Sequence, residues 1–193
     1  MLYPLGKFIV SVLFKFLFRI QVIGKENIPK SGPVIICSNH ISNYDPPTVG
    51  ITSPRPIHFM AKEELFEKKG LGFILRNVRA FPVKRGMRDR NALRTGLKIL
   101  EEGNVIGLFP EGTRSKDGVL KKGLAGAGFF AMRSKAKVIP CAIIGNYEKK
   151  KPLTVVYGEP IEFETLKEGK PSAQDVTDEI MENIKRLLDE YRK

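Results

Sequence analysis

The stretch Val34-Ile35-Ile36-Cys37, running straight into Ser38-Asn39-His40-Ile41-Ser42-Asn43-Tyr44-Asp45-Pro46-Pro47, decides the reading of the fold. Four apolar residues in succession, without alternation, fit a strand covered on both faces, as in a mostly parallel sheet. The polar segment after it is a loop at the strand's carboxyl end, and Asp45-Pro46 reads as an N-cap followed by proline at the first helical position. Working outward, short β-branched runs recur at 20–23, 57–60, 78–83, 105–109, 138–144 and 154–157. Helical patterns lie between them. Asp89 can cap a helix over 90–102 with Leu93, Leu97 and Leu100 on one face and Gly103 at its end. The segment GLAGAGFFAMRSK, 123–135, is rich in small residues that would let a helix approach the sheet closely. Ser172-Ala-Gln-Asp175 resembles a capping box and opens a terminal helix with Val176, Ile180, Ile184 and Leu187 inward. Strands alternating with helices predict a single α/β domain, with a mostly parallel sheet of about seven strands flanked by helices.

The first twenty residues, MLYPLGKFIVSVLFKFLFRI, are the most apolar and contain no acid. A spanning helix needs about 20 apolar residues in a row, whereas Lys7, Ser11, Lys15 and Arg19 interrupt this segment at every fourth position. On a helix those four form one narrow polar stripe, opposite a face rich in Phe, Ile, Leu and Val. The pattern predicts an amphipathic helix over residues 1–19 lying in a membrane interface, ahead of a domain over 20–193. Lys7, Lys15 and Arg19 are then expected at headgroup level, with Phe8, Phe14 and Phe18 in the acyl boundary. A signal peptide is the rival, but no small-residue cleavage site follows. A helix buried in the core would have to accommodate three cations.

With 193 residues and 42% hydrophobic, 28% charged composition, the chain can build one core and is not a disordered segment. Cys37 and Cys141 lie inside apolar runs, so buried thiols are expected rather than a disulfide scaffold or a metal motif. The net charge of +12 is concentrated: from Lys68 to Lys98 there are ten basic residues and one acid, Asp89. Such a field suits an anionic surface: lipid headgroups, nucleic acid or an acidic carrier protein.

Chemistry-bearing residues gather after the predicted strands. His40 stands beyond 34–37, where reactive groups collect in a doubly wound sheet. Asp45 comes five residues later, off the helical i+4 face, so the two meet only across a turn. The plainer alternative is a structural cap at Asp45 and a loop histidine at His40. After 105–109 comes Pro110-Glu111-Gly112-Thr113-Arg114-Ser115, in which an arginine fork and backbone N–H groups suit a phosphate. Phe81-Pro82-Val83-Lys84-Arg85-Gly86 ends a third strand with two cations. No nucleotide-binding glycine loop, nucleophile elbow or metal-ligand spacing occurs.

Asn39-His40-x-Ser42-x-x-Asp45, followed about seventy residues later by Phe109-Pro110-Glu111-Gly112-Thr113-Arg114-Ser115, resembles the glycerolipid acyltransferases. The likeness is greatest to the bacterial 1-acylglycerol-3-phosphate (lysophosphatidic acid) acyltransferases and runs from about residue 20 to residue 160. Phe81-Pro82-Val83-Lys84-Arg85 falls where the family has its acceptor-binding block. There Arg85 matches the family arginine, while Lys84 replaces a common Asp and Arg79 a common Gly. Val138-Ile139-Pro140-Cys141 is similar to the family's fourth, apolar block.

The resemblance implies transfer of a fatty acyl chain from a thioester, of acyl carrier protein or coenzyme A, to the sn-2 hydroxyl of lysophosphatidic acid, giving phosphatidic acid. His40 would act as general base and Asp45 would hold its other ring nitrogen. Arg85 and Arg114 would bind the acceptor phosphate, with Glu111 orienting Arg114 or a glycerol hydroxyl. Backbone N–H groups near Gly112 and Thr113, or Lys62, would stabilise the developing oxyanion. No metal or organic cofactor is implied, and the expected setting is the cytoplasmic face of the cell membrane, peripherally bound. The alternatives are an enzyme acting on glycerol 3-phosphate or another lysophospholipid, or a non-catalytic basic protein of membranes or nucleic acid. For nucleic acid the sequence offers charge but no recognition motif.

Overall fold

The computed structural model describes residues 3–84, 89–115, 117–163 and 170–192. Among them are seven strands: β1 (Arg19–Ile23), β2 (Val34–Ser38), β3 (Ile57–Lys62), β4 (Phe81–Val83), β5 (Val105–Leu108), β6 (Lys137–Gly145) and β7 (Pro152–Tyr157). The helices are α1 (Tyr3–Leu17), α2 (Asp45–Thr52), α3 (Glu63–Glu67), α4 (Leu71–Asn77), α5 (Arg90–Glu101), α6 (Gly126–Arg133) and α7 (Ala173–Tyr191). The strands form one sheet in the order β1-β7-β6-β2-β5-β3-β4. From β6 to β4 neighbours run parallel; β7 is antiparallel to β6 and carries β1 parallel to itself at the edge.

The unbroken apolar reading of β2 has its cause in this arrangement. It is the central strand, with Val34 opposite Val105 of β5 on one side and Lys137 of β6 on the other. Its side chains alternate between two cores. Ile35 and Cys37 join Leu100, Phe130, Ile180 and Ile184 from α5, α6 and α7. Val34 and Ile36 join Val49 of α2 with Ile143 and Tyr157. The result is a three-layer α/β domain in which α1 packs against α2.

Several local expectations hold. Asp89 caps α5 by accepting from the N–H groups of Asn91 and Ala92, and Ser172 with Asp175 forms a reciprocal capping box. Other expectations are corrected. The strand read over 78–83 shrinks to Phe81–Val83, because α4 runs to Asn77 and Arg79 turns the chain at φ 64°. In α7 Leu188, rather than Leu187, completes the fully buried face. The helix of 123–135 packs on β2, and its glycines also allow close approach to a second helix. A Cβ on Gly128 would lie 1.9 Å from the Ala173 carbonyl oxygen, and one on Gly123 would lie 2.6 Å from Thr177 Cγ2, both on α7.

The N-terminal helix is oriented differently from expectation. Phe14 and Phe18 are only 4% and 6% exposed, and pack edge-on at 5.3 Å within a cluster that includes Tyr44 and Tyr147. Lys7 also turns inward, where its Nζ donates to the Ser53 carbonyl at 2.6 Å. Ser53 closes α2, so this cation meets the negative end of a helix dipole. Arg19 opens β1 and is exposed, as is Lys15. The outward face is wholly apolar: Leu5, Phe8, Ile9, Val12, Leu13 and Phe16, with Phe16 77% exposed. The polar stripe is thus split: Lys7 faces α2, a partner that the sequence pattern does not reveal, while Lys15 and Arg19 stay exposed.

Gly128→Ala should cost about 1–3 kcal/mol or more, since backbone rather than a flexible side chain blocks the new methyl. For a chain of this length that lowers Tm by several degrees. Thermal unfolding followed by circular dichroism checks it, and an unchanged Tm would mean that α6 and α7 part freely.

Candidate active site

The carboxyl ends of β2 and β5 lie side by side, so the loops that follow them share one end of the sheet. His40 comes two residues after β2. Its Nδ1 lies 2.7 Å from Asp45 Oδ2, and the two side chains are 11% and 0% exposed. The same Asp45 oxygen accepts the backbone N–H groups of Ile41 and Ser42, each at 2.7 Å. Asp45 is therefore not the N-cap expected from its sequence: it is the first residue of α2, Tyr44 stands at the cap position, and Pro46 and Pro47 fill the first turn. Its side chain bends back to close the loop around His40. That closure is the turn a five-residue separation requires.

The imidazole is fixed on its other sides. It stacks on Phe109 with ring centres 4.2 Å apart at 22°, and Phe109 stacks in turn on Phe59. With Nδ1 facing the carboxylate, the favoured tautomer carries its proton there and leaves the Nε2 lone pair as the basic site. Asn39, next in sequence, secures the loop's origin: its amide donates to and accepts from the Ile143 backbone at 3.0 and 2.7 Å. It extends the β2–β6 pairing by one side chain.

Glu111 does something the sequence did not suggest. It neither orients Arg114 nor faces an open site. One carboxylate oxygen accepts the His40 N–H at 2.8 Å and the other the Lys121 N–H at 3.0 Å. The His40 carbonyl accepts the Ser115 N–H at 2.8 Å. Both backbone polar groups of His40 are thus held by the turn after β5. Burial pushes the Glu111 carboxyl above the usual range, against the opposing pull of those two N–H groups.

Of the remaining predicted residues, Gly112, Thr113 and Arg114 belong to the turn of this clasp. Gly112 takes φ 65°, and its N–H is already bonded to the Phe109 carbonyl at 2.9 Å, so it is not available to an oxyanion. Thr113 and Arg114 are exposed on the same turn, and the Arg114 carbonyl accepts Lys121 Nζ. Lys62 is exposed at the carboxyl end of β3. Arg85 lies outside the described residues. Lys84 pairs with Glu63 at 3.6 Å between half-exposed groups, a contact of little energetic weight. The described basic residues between Lys68 and Lys98 are all exposed. Burial pushes both thiols up, Cys141 to about 12, so neither is a nucleophile at neutral pH. Among the described residues no His, Cys, Asp or Glu cluster is arranged to hold a metal ion.

A buried histidine–carboxylate pair at the carboxyl end of a parallel sheet, clasped by a Pro-Glu-Gly-Thr-Arg turn, coincides with a family match: the Acyltransferase family description fits residues 19–144. The chain belongs to the acyltransferase family. Among relatives of this acyltransferase, the 1-acyl-sn-glycerol-3-phosphate acyltransferase of Bacillus subtilis strain 168 is 34% identical over 92% of both chains. The protein of the same name from Borreliella burgdorferi is 32% identical over 65% of this chain and 51% of its own. The crystal structure of the 1-acyl-sn-glycerophosphate acyltransferase PlsC from Thermotoga maritima shares the fold, with a TM-score of 0.79. That likeness covers 98% of this chain and 79% of the other at 24% identity. The acyltransferase is therefore an enzyme of the α/β class read from its strands.

Glu111→Ala should be destabilising far beyond its position in a turn. It strands two part-buried N–H groups, each at a cost of about 1–3 kcal/mol. Urea denaturation measures the loss, and stability equal to the parent would show that the two loops hold together without the carboxylate.

Proposed function

We propose that this acyltransferase moves a fatty acyl chain from a thioester to the sn-2 hydroxyl of 1-acylglycerol 3-phosphate, with His40 as general base. The observation that carries the reading is the 2.7 Å contact between His40 Nδ1 and the triply bonded Asp45 Oδ2. The names of the relatives supply the acceptor. An alcohol is a weak nucleophile at neutral pH, so its proton must leave as the carbon–oxygen bond forms. Nε2 takes that proton, and the imidazolium is stabilised by Asp45, itself held in place by two N–H groups. The tetrahedral intermediate collapses with cleavage of the carbon–sulfur bond, and the imidazolium returns the proton to the departing thiolate. The hydroxyl attacks directly, and no acyl-enzyme intervenes. The exposed Arg114 binds the acceptor phosphate from the turn that clasps His40. The donor is a thioester of acyl carrier protein or coenzyme A, both anionic partners for a chain of net charge +12.

The enzyme works peripherally on a bilayer, with the outward face of α1 in the acyl boundary. The support is that face's uninterrupted apolar character, together with exposed Lys15 and Arg19 beside it. No described helix is long and apolar enough to cross a membrane.

His40→Ala should lose about 10²–10⁴-fold in turnover while remaining folded. Turnover of lysophosphatidic acid, glycerol 3-phosphate and other lysophospholipids against each donor, followed by lipid mass spectrometry, tests both residue and acceptor. Near-normal turnover in the folded variant would refute the mechanism. Arg114→Ala should raise the acceptor KM more than the donor KM, and Lys there should restore part of the loss, a point charge replacing a fork. Equal kinetics in parent and variant would remove Arg114 from the phosphate site.

For membrane contact, Phe8→Asp with Phe16→Asp should abolish co-sedimentation with anionic vesicles, because both rings leave the acyl boundary. Lys15→Glu with Arg19→Glu should weaken it by roughly 1 kcal/mol per charge removed. Phe14→Asp should instead unfold the aromatic cluster. Normal sedimentation of the Phe8 and Phe16 double variant would refute the interfacial role of α1.

A further inference from the structure

Asp45 Oδ1 is the one buried side-chain oxygen among the described residues without a donor, although its partner Oδ2 has three. One turn along α2, Thr48 is fully buried, and its Oγ1 accepts the Tyr147 hydroxyl at 3.0 Å. Tyr147 follows β6, and its ring is wedged edge-on against Phe18 and tilted against Tyr44. The direction of this bond matters. A threonine hydroxyl that accepts through a lone pair still has one proton to give, and no described group takes it. Asp45 Oδ1 sits at the same helical i, i+3 spacing and can only accept when ionised. A spare donor and a spare acceptor therefore share one buried turn.

We propose that Tyr147 and Thr48 form a donor chain directed at Asp45 Oδ1, which orients the carboxylate that holds His40; both are positioning residues. This rests on the His40 reading above. The chain closes when the site tightens around its substrates, as loosely aligned hydrogen bonds in unliganded active sites do. Burial, with the Asp45 charge beside it, pushes the Tyr147 phenol well above its ordinary range. It thus keeps its proton and stays a donor at neutral pH. A residue that only filled space would need the ring and not the hydroxyl.

The test uses the full chain with 1-oleoylglycerol 3-phosphate and a palmitoyl thioester of coenzyme A or acyl carrier protein. Tyr147→Phe keeps the ring and deletes one oxygen; Thr48→Val keeps the shape and deletes the hydroxyl. Each should lower kcat on the order of 10-fold, leave the acceptor KM unchanged, and move the low-field proton resonance of His40 Nδ1–H. The double variant should be no worse than the poorer single variant, because one chain is broken once. His40→Ala separates the two levels of inference. If it is inactive while Tyr147→Phe retains both its kcat and its Nδ1–H resonance, the donor chain is overturned and the base survives. If His40→Ala is itself active, both fall. Should Thr48→Val fail to fold, Tyr147→Phe alone decides.

Discussion

A single carboxylate oxygen organises this end of the molecule. Asp45 Oδ2 accepts from His40 Nδ1 and from the Ile41 and Ser42 N–H groups, all at 2.7 Å, with the Asp45 side chain itself closed to solvent. An anion so buried is tolerable only where donors surround it, and here most of them come from the loop it must shape. The carboxylate thus folds the loop and orients the imidazole with the same lone pairs. The position of the histidine relative to the sheet follows from β2, whose last residues pair on both sides, and from Asn39, which prolongs that pairing.

The second constraint is the turn after β5. Because β2 and β5 are neighbours, their loops must pack on each other, and two polar backbone groups at His40 would otherwise be buried without partners. Glu111 and Ser115 satisfy them. A glutamate spent this way is unavailable to substrate, and Gly112 at φ 65° spends its N–H on the turn itself. Within this motif the exposed groups are Thr113 and Arg114. The residues that shape the turn, Glu111, Gly112 and Ser115, flank the two that are exposed.

The strands were legible in the sequence as short β-branched runs, several of them apolar throughout because both faces are buried, and α5 and α7 because Asp89 and Ser172 announce them. His40 and Asp45 were legible as a pair only through their resemblance to a family motif, since a five-residue spacing says nothing of the loop between them. The role of Glu111 was hidden, because its partners are backbone groups that a sequence does not distinguish. The same holds for Lys7, whose acceptor is the Ser53 carbonyl at the end of α2. Gly123 and Gly128 signalled close approach correctly but could not name the element approaching.

The seating of α1 joins these threads. Were Phe14 and Phe18 outward with Phe8, the helix would be free of the domain and could be tethered loosely. Instead Phe14 and Phe18 are set into Tyr44 and Tyr147, one of which precedes Asp45 while the other reaches Thr48. Aromatic contacts of this kind are stiff and directional, so α1 cannot shift without disturbing the turn that carries the carboxylate. The exposed apolar face of α1 and the loop that carries His40 are thereby joined through this aromatic cluster. Under the proposed function, that coupling sets the depth of His40 relative to any surface the helix enters.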